Sequence, residues 1–182
     1  MACVHNSNLW DTEGMHVSKG VEWALHTTLL LAQAPEGSWT ARRTIAEFYD
    51  LPEPYLATDL QRLVAAGVLV ATTGPRGGYR LAAPPEEITA LAVFEAIEGS
   101  APAFTCQSIR RQGRGAATDK ECQRKCIIHS LVDSADAAWR AQLAGKTVAD
   151  LVDVLPNTLK GRTTDILSEA TSGAGSSAKR RR

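Results

Sequence analysis

At 182 residues, with 44% hydrophobic and 22% charged side chains, the chain has room for one ordinary core plus appendages and the composition of a soluble globular protein. Its formal net charge is zero, which argues neither for nor against nucleic acid, and no apolar run approaches the ~20 residues of a bilayer-crossing helix. The N-terminus lacks the basic-then-apolar order of a secretory signal, so the cytoplasm is the expected compartment and no membrane partner is expected.

Residues 1–14 are polar and aperiodic and are read as a disordered extension. Patterned sequence starts after Met15. Over residues 17–34, apolar or small residues recur at Val21, Ala24, Leu25, Thr28, Leu29 and Ala32, a helical stripe that Pro35, Glu36 and Gly37 end. A short helix is expected over residues 40–48, with Thr40 as N-cap and Ile45 facing inward. After a turn at residues 51–54, a third helix over 54–66 carries Leu56, Leu60, Leu63 and Val64 on one face, and Gly67 stands where a terminating glycine belongs. Two short helices joined by a tight turn form a helix-turn-helix pattern whose second member is the recognition helix.

The β-prone runs 68–71 and 79–81 flank TTGPRGG and predict a hairpin, the wing of a winged helix. Further helices are expected over 89–97 (ending at Gly99), over 121–144 and over 147–155. The 121–144 stripe of Ile127, Ile128, Leu131, Val132, Ala135, Ala138, Trp139 and Leu143 is more than three short helices can cover, and reads as a dimerisation helix. The fold class is thus α+β, mainly helical: a winged helix-turn-helix DNA-binding domain at 15–99, a cysteine-bearing loop at 100–122, a dimerisation and C-terminal helical unit at 123–158, and a flexible tail at 159–182. That tail ends in Lys179, Arg180, Arg181 and Arg182 behind a Ser/Gly/Ala-rich stretch and can add phosphate attraction.

The segment LPEPYLATDLQRLVAAGVLVATTGPRGGYRLAAPPEEIT resembles the recognition helix and wing of the Rrf-two family of winged-helix regulators, with similarity over about residues 15–155. GVEWALH at residues 20–26 and the run Ala103-Phe104-x-Cys106-x-x-Ile109-Arg110 are similar to its RsrR-like redox regulators. The resemblance implies a homodimeric, non-enzymatic transcription regulator on double-stranded DNA with a palindromic operator. It places Lys19, Arg42, Arg43, Arg76 and Arg80 near phosphates, Pro54, Tyr55, Thr58 and Arg62 on the recognition helix, and Gly77 and Gly78 at the wing. Where the family often has Ser at the start of that helix, this chain has Pro52, which cannot donate. Glu53 and Asp59 leave the helix with Arg62 as its one cation, a modest electrostatic footprint.

Of four cysteines (Cys3, Cys106, Cys122 and Cys126), three fall within twenty-one positions, which in a cytosolic chain suggests metal or redox chemistry. Cys122 and Cys126, four apart at the start of an expected helix, project from one face and can hold one iron. A helix N-terminus favours their thiolates. Glu22 and His26 have the same spacing and can bind a second iron. The resemblance to RsrR-like regulators implies a [2Fe–2S] cluster between subunits, held by Cys122 and Cys126 of one chain with Glu22 and His26 of the other, and Trp23 as a gating residue beside it.

Other sets remain open: Cys106, Cys122 and Cys126 with His129, as in IscR-like members, or three Cys with Glu22, as in NsrR-like ones, although the fifteen residues between Cys106 and Cys122 exceed the short spacings of both groups; a [4Fe–4S] cluster stands as the alternative to [2Fe–2S]. Zinc suits the same ligands. Two other functions stand beside the cluster reading: a cluster-free regulator sensing oxidants through its thiols, and a metal-handling or protein-binding winged helix. No phosphate-cradling loop or nucleophile–base pair suggests an enzyme.

Overall fold

The computed structural model describes residues 17–74, 77–123 and 125–177, with side chains to residue 170. The expected disorder of 1–14, the wing-tip Arg76, Cys3 and the basic residues 179–182 lie outside the described residues.

Helix α1 (Lys19–Ala32) buries Val21, Ala24, Thr27, Thr28, Leu30 and Leu31; of the expected stripe, Leu25, Leu29 and Ala32 are only partly buried and pack against that core. Helix α2 (Arg42–Tyr49) ends at Asp50, which adopts a left-handed conformation (φ 53°). Leu51 then donates its N–H to the Ala46 carbonyl (2.9 Å), closing the tight turn into α3 (Glu53–Ala65), which has Pro54 in its first turn, where no helical N–H is lost. Leu56, Leu60 and Leu63 are fully buried, each worth about 1.5–3 kcal/mol relative to exposure. At Gly67 the backbone turns through positive φ (74°), and Val68 N–H closes onto Leu63 O (2.9 Å).

The wing is the antiparallel pair β1 (Leu69–Thr72) and β2 (Gly78–Leu81), in register Leu69 to Leu81 and Thr72 to Gly78. Thr40 adds a bridge on the other edge of β2: its N–H donates to Tyr79 O (3.0 Å) and its carbonyl accepts from Tyr79 N–H (2.9 Å). That pairing requires glycine next door. A Cβ on Gly78 would sit 2.3 Å from Thr40 O, and one on Gly77 would sit 2.4 Å from Thr72 O.

Helix α4 (Ala90–Glu98) is capped by Thr89 Oγ1, which accepts from Ala92 N–H (3.1 Å). A second tie, Val148 N–H to Ile88 O (2.8 Å) with Ala90 N–H to Lys146 O (2.7 Å), clamps α6 (Val148–Asp153) onto the base of α4, and Val148 enters the core. Between α4 and α6 the chain forms a long loop containing a 3-10 turn (Ile109–Arg111) and then α5 (Ile127–Ala144). None of the residues of α5 is buried in the single chain. It is held to α4 by Phe94 against Trp139 (ring centroids 4.6 Å) and by Arg140, which reaches Asp136 (2.9 Å), Glu95 and the Ala101 carbonyl (3.0 Å).

Three expectations are corrected. The N-cap of α2 is Ala41 rather than Thr40, because Thr40 is drawn into the bridge with Tyr79. The long helix starts at Ile127 rather than at residue 121, because Thr118 and Glu121 close a separate turn: Thr118 N–H and Oγ1 donate to Glu121 Oε2 (2.8 and 2.7 Å) and Cys122 N–H donates to Thr118 O (3.0 Å). Cys126 is the N-cap in extended conformation, so the two cysteines do not share a helix face. The segment read as a flexible tail from 159 is helix α7 (Asn157–Ser177) over its described part, since Leu159, Thr163 and Leu167 recur one turn apart and Thr163 and Leu167 are buried.

Candidate nucleic-acid interface and metal centre

On α3 the residues left outside the core form one stripe at helical spacing: Pro54, Tyr55, Thr58 and Arg62, all exposed, with Tyr55 at 69%. Asp59, which shares the helix, faces the other way. It is 7% exposed, and Gly20 of α1 passes so close that a Cβ there would meet Asp59 Oδ1 at 3.2 Å. Burial holds its carboxyl above the usual range, against the pull of Arg62, whose Nη1 lies 3.8 Å from Asp59 Oδ1. Glu53 is tied to Arg42 (3.2 Å). The acids that seemed to weaken the recognition helix are therefore turned inward or paired.

Lys19, Arg42, Arg43 and Arg80 are exposed. Arg43 pairs with Glu47 one turn on (2.7 Å). Arg80 stacks over the Trp39 ring at 4.5 Å, a cation–π contact that aligns it at the wing base; the sequence reading did not single out Trp39. Gly77 and Gly78 have a local reason to be glycine, the close backbone passages of the wing.

The second site lies in the loop before α5. Cys106, Cys122, Cys126 and His129, with Arg110 and Lys125 among their neighbours, line a pocket of about 280 Å³ that has no carboxylate among its described lining residues. Ser108 N–H donates to Cys106 Sγ (3.4 Å), and Arg110 Nη2 donates to Cys122 Sγ (3.8 Å). At Cys126 the first-turn N–H groups of His129 and Ile128 lower the thiol pKa and Arg110 adds to the effect, the stabilisation of a thiolate at a helix N-terminus. His129 stacks edge-on against Phe104 (5.7 Å) and has Nε2 3.3 Å from Asp133. Soft sulfur donors with an imidazole suit an iron–sulfur cluster or zinc, not a hard cation, so the donor set fits the group the sequence implies. The four side chains share a pocket but are not gathered tightly enough for three of them to hold one ion, and no such group of His, Cys, Asp or Glu occurs among the described residues.

Glu22 and His26 are exposed, one turn apart on α1, with Trp23 half-buried between them. They do not line the cysteine pocket. Besides Trp39, two residues to which the sequence assigned no role bear on these sites. Tyr49 donates its hydroxyl to His26 O (2.8 Å), and burial pushes its pKa up to about 12. Arg110 is the guanidinium beside the sulfurs.

A helix-turn-helix followed by a wing, with an exposed polar stripe on the second helix, defines a winged-helix DNA-binding protein. The Rrf2 family, described as an iron-dependent transcriptional regulator, matches residues 17–154, and the chain belongs to it. It is 27% identical over 154 residues to the HTH-type transcriptional regulator NsrR of Shouchella clausii, covering 83% of this chain and 99% of that one. It is 36% identical over 70 residues to IscR of Cereibacter sphaeroides, 38% of this chain and 45% of that one. The fold is that of CymR, the global cysteine regulator of B. subtilis, at a TM-score of 0.63 and 22% identity, over 79% of this chain and all of the other. Its relatives are named as transcriptional regulators, not enzymes. No helix among the described residues is long and apolar enough to cross a membrane.

Proposed function

We propose that this chain is a cytoplasmic homodimeric regulator whose affinity for a palindromic promoter operator is switched by an iron–sulfur cluster held at the cysteine pocket. The observation that carries the reading is the convergence of Cys106, Cys122, Cys126 and His129 on one pocket, with Cys126 disposed to ionise. The family description as iron-dependent agrees with it.

Cys122 and Cys126 belong to every ligand set. For a [2Fe–2S] cluster, Glu22 and His26 of a second copy complete the set: both are exposed and neither lines the pocket of its own chain. A dimer is supported by α5, where Ile127, Ile128 and Leu131 are 76%, 52% and 65% exposed, an apolar stripe that a symmetric partner would cover. When bound, the cluster supplies a one-electron redox change under mild conditions, since imidazole in place of thiolate raises its potential. The chain's own residues hold it, exclude water from it (Trp23 beside Glu22 and His26), and carry its state to the DNA through α1.

A second reading keeps the set within one chain, Cys106, Cys122, Cys126 and His129, because these four line the same pocket. Anaerobic purification tests the function itself: the protein is expected to absorb in the visible and to contain iron and sulfide. A colourless protein, iron-free after anaerobic reconstitution, would sink the cluster reading and leave thiol sensing. E22A and H26A, against C106A and H129A, then separate the two ligand sets by which pair loses the cluster.

A further inference from the structure

The two arginines of the 3-10 turn are used differently. Arg111 pairs with Asp119 at 3.3 Å. Arg110 instead reaches across the loop: its Nη2 donates to Glu121 O (2.7 Å) and to Cys122 Sγ (3.8 Å), while its own carbonyl accepts from Ala117 N–H (2.7 Å). One residue thus ties the 3-10 turn to both ends of the turn that precedes Cys122. Cys126 is also within its influence.

We propose that Arg110 is the positioning residue of the cysteine site, pinning the Cys122 turn in place and supplying the fixed positive charge beside the sulfurs that governs how firmly a cluster is held and how readily it accepts an electron. The second half rests on the cluster reading given above. A guanidinium keeps its charge at any working pH and offers a planar fork of donors, so it can serve the Glu121 carbonyl and the Cys122 sulfur together. Hydrogen bonds to ligand sulfurs and nearby positive charge raise the reduction potential of such a centre, because the electron delivered by a one-electron reductant adds negative charge that the cation stabilises. Residues that orient metal ligands typically change affinity ~10–100-fold when removed.

The test compares the full-length wild type with R110Q and R110K, all purified anaerobically. In cluster-free protein, amides over residues 117–126 are expected to exchange hydrogen faster in R110Q than in wild type. In reconstituted protein, R110Q is expected to lose its cluster to EDTA ~10–100-fold faster and to have a lower midpoint potential in a dithionite titration. R110K, which keeps the charge but not the fork, is expected to recover most of the potential and little of the retention.

Unchanged exchange over 117–126 in R110Q overturns the pinning role. A reconstituted R110Q with wild-type potential overturns the electrostatic role, even where exchange has risen. If wild type itself takes up no iron, the cluster reading fails and the redox half of this inference with it, and the exchange experiment alone decides the pinning. R110K guards against a trivial folding defect, since a variant that restores the potential cannot owe the R110Q shift to misfolding.

Discussion

The Tyr49 hydroxyl donates a 2.8 Å hydrogen bond to the carbonyl oxygen of His26, and the two rings meet at 5.5 Å with 54° between their planes. Tyr49 is the last residue of α2 and His26 lies in the middle of α1, so the first helix of the DNA-binding motif rests on the backbone and ring of the residue proposed as a cluster ligand. A change in how His26 is held bears directly on α2.

Y49F keeps the ring and removes the donor. It is expected to lower stability by about 1 kcal/mol, a fall of about 2–4 °C in Tm for a chain of this size. Wild type should also show one tyrosine titrating near 12. The folded state holds that proton more tightly than the unfolded chain, whose tyrosine titrates near the ordinary 10.0. Stability is therefore fully present below 10 and is lost as pH rises towards 12; Y49F should lose that part of the alkaline slope. In anaerobic protein, Y49F should also narrow the difference in operator affinity between oxidised and reduced forms, measured by fluorescence anisotropy.

The wing depends on two glycines with no room for a methyl group. G78A places a Cβ 2.3 Å from Thr40 O, against backbone that cannot yield without breaking the Thr40–Tyr79 bridge. A loss of roughly 1–3 kcal/mol is expected, with operator binding weakened more than secondary structure. G37A is the control: Gly37 has φ 71° but open space around its Cα, so it costs about 1–2 kcal/mol of backbone strain and leaves the wing intact. Thermal unfolding followed by circular dichroism, with DNA binding on the same samples, separates the two.

Much of this was legible in the sequence where periodicity and punctuation agreed. The apolar stripes of α1 and α3, the glycine at 67 and the hairpin around TTGPRGG fixed the motif, since each reports a local physical constraint. The site was legible by residue type but not by geometry. Cys122 and Cys126 read as one helix face because a spacing of four is helical, yet the Thr118–Glu121 turn sets Cys122 ahead of the helix and Cys126 is only its N-cap, and such side-chain-closed turns leave no periodic trace. Asp59 looked like a liability on the recognition helix because spacing alone does not say which side faces Gly20. The helix at 157–177 was hidden by its Ser, Gly and Ala content, although Leu159, Thr163 and Leu167 carry the period. Arg110 and Tyr49 act through hydrogen bonds to residues distant in sequence, which no local pattern encodes.

Charge on the DNA-facing surface gives a prediction that turns on pairing. Arg42 and Arg43 are held by Glu53 and Glu47, whereas Arg62 lies 3.8 Å from the inward Asp59. R62A is expected to weaken operator binding and to reduce the slope of log K against log salt by about 1, as loss of one phosphate contact does. E47A frees Arg43 and should tighten binding to random-sequence DNA, with a steeper salt slope. Equal slopes in wild type, R62A and E47A would place these cations away from the phosphates.

Asp59 supplies an acid-side test of the packing between α1 and α3. Its carboxyl is raised above the ordinary 3.8 chiefly by burial, with Arg62 pulling it down and Glu98 pushing it up. In the window just above 3.8 the folded chain therefore binds more protons at this site than the unfolded chain, and stability from this group falls as pH rises through that window. D59N removes the titration while keeping the shape that Gly20 packs against. It is expected to raise stability at pH 7, where the buried charge costs most, by less than about 1 kcal/mol, because the Arg62 pair is lost with it. The advantage of D59N over wild type should shrink as the pH is lowered towards 4. Calorimetry of both proteins at pH 7 and pH 4.5 measures that difference directly, since every other carboxylate is common to the two. A difference that stays constant with pH would mean that Asp59 is not raised by burial, and that α1 packs against a hydrated carboxylate.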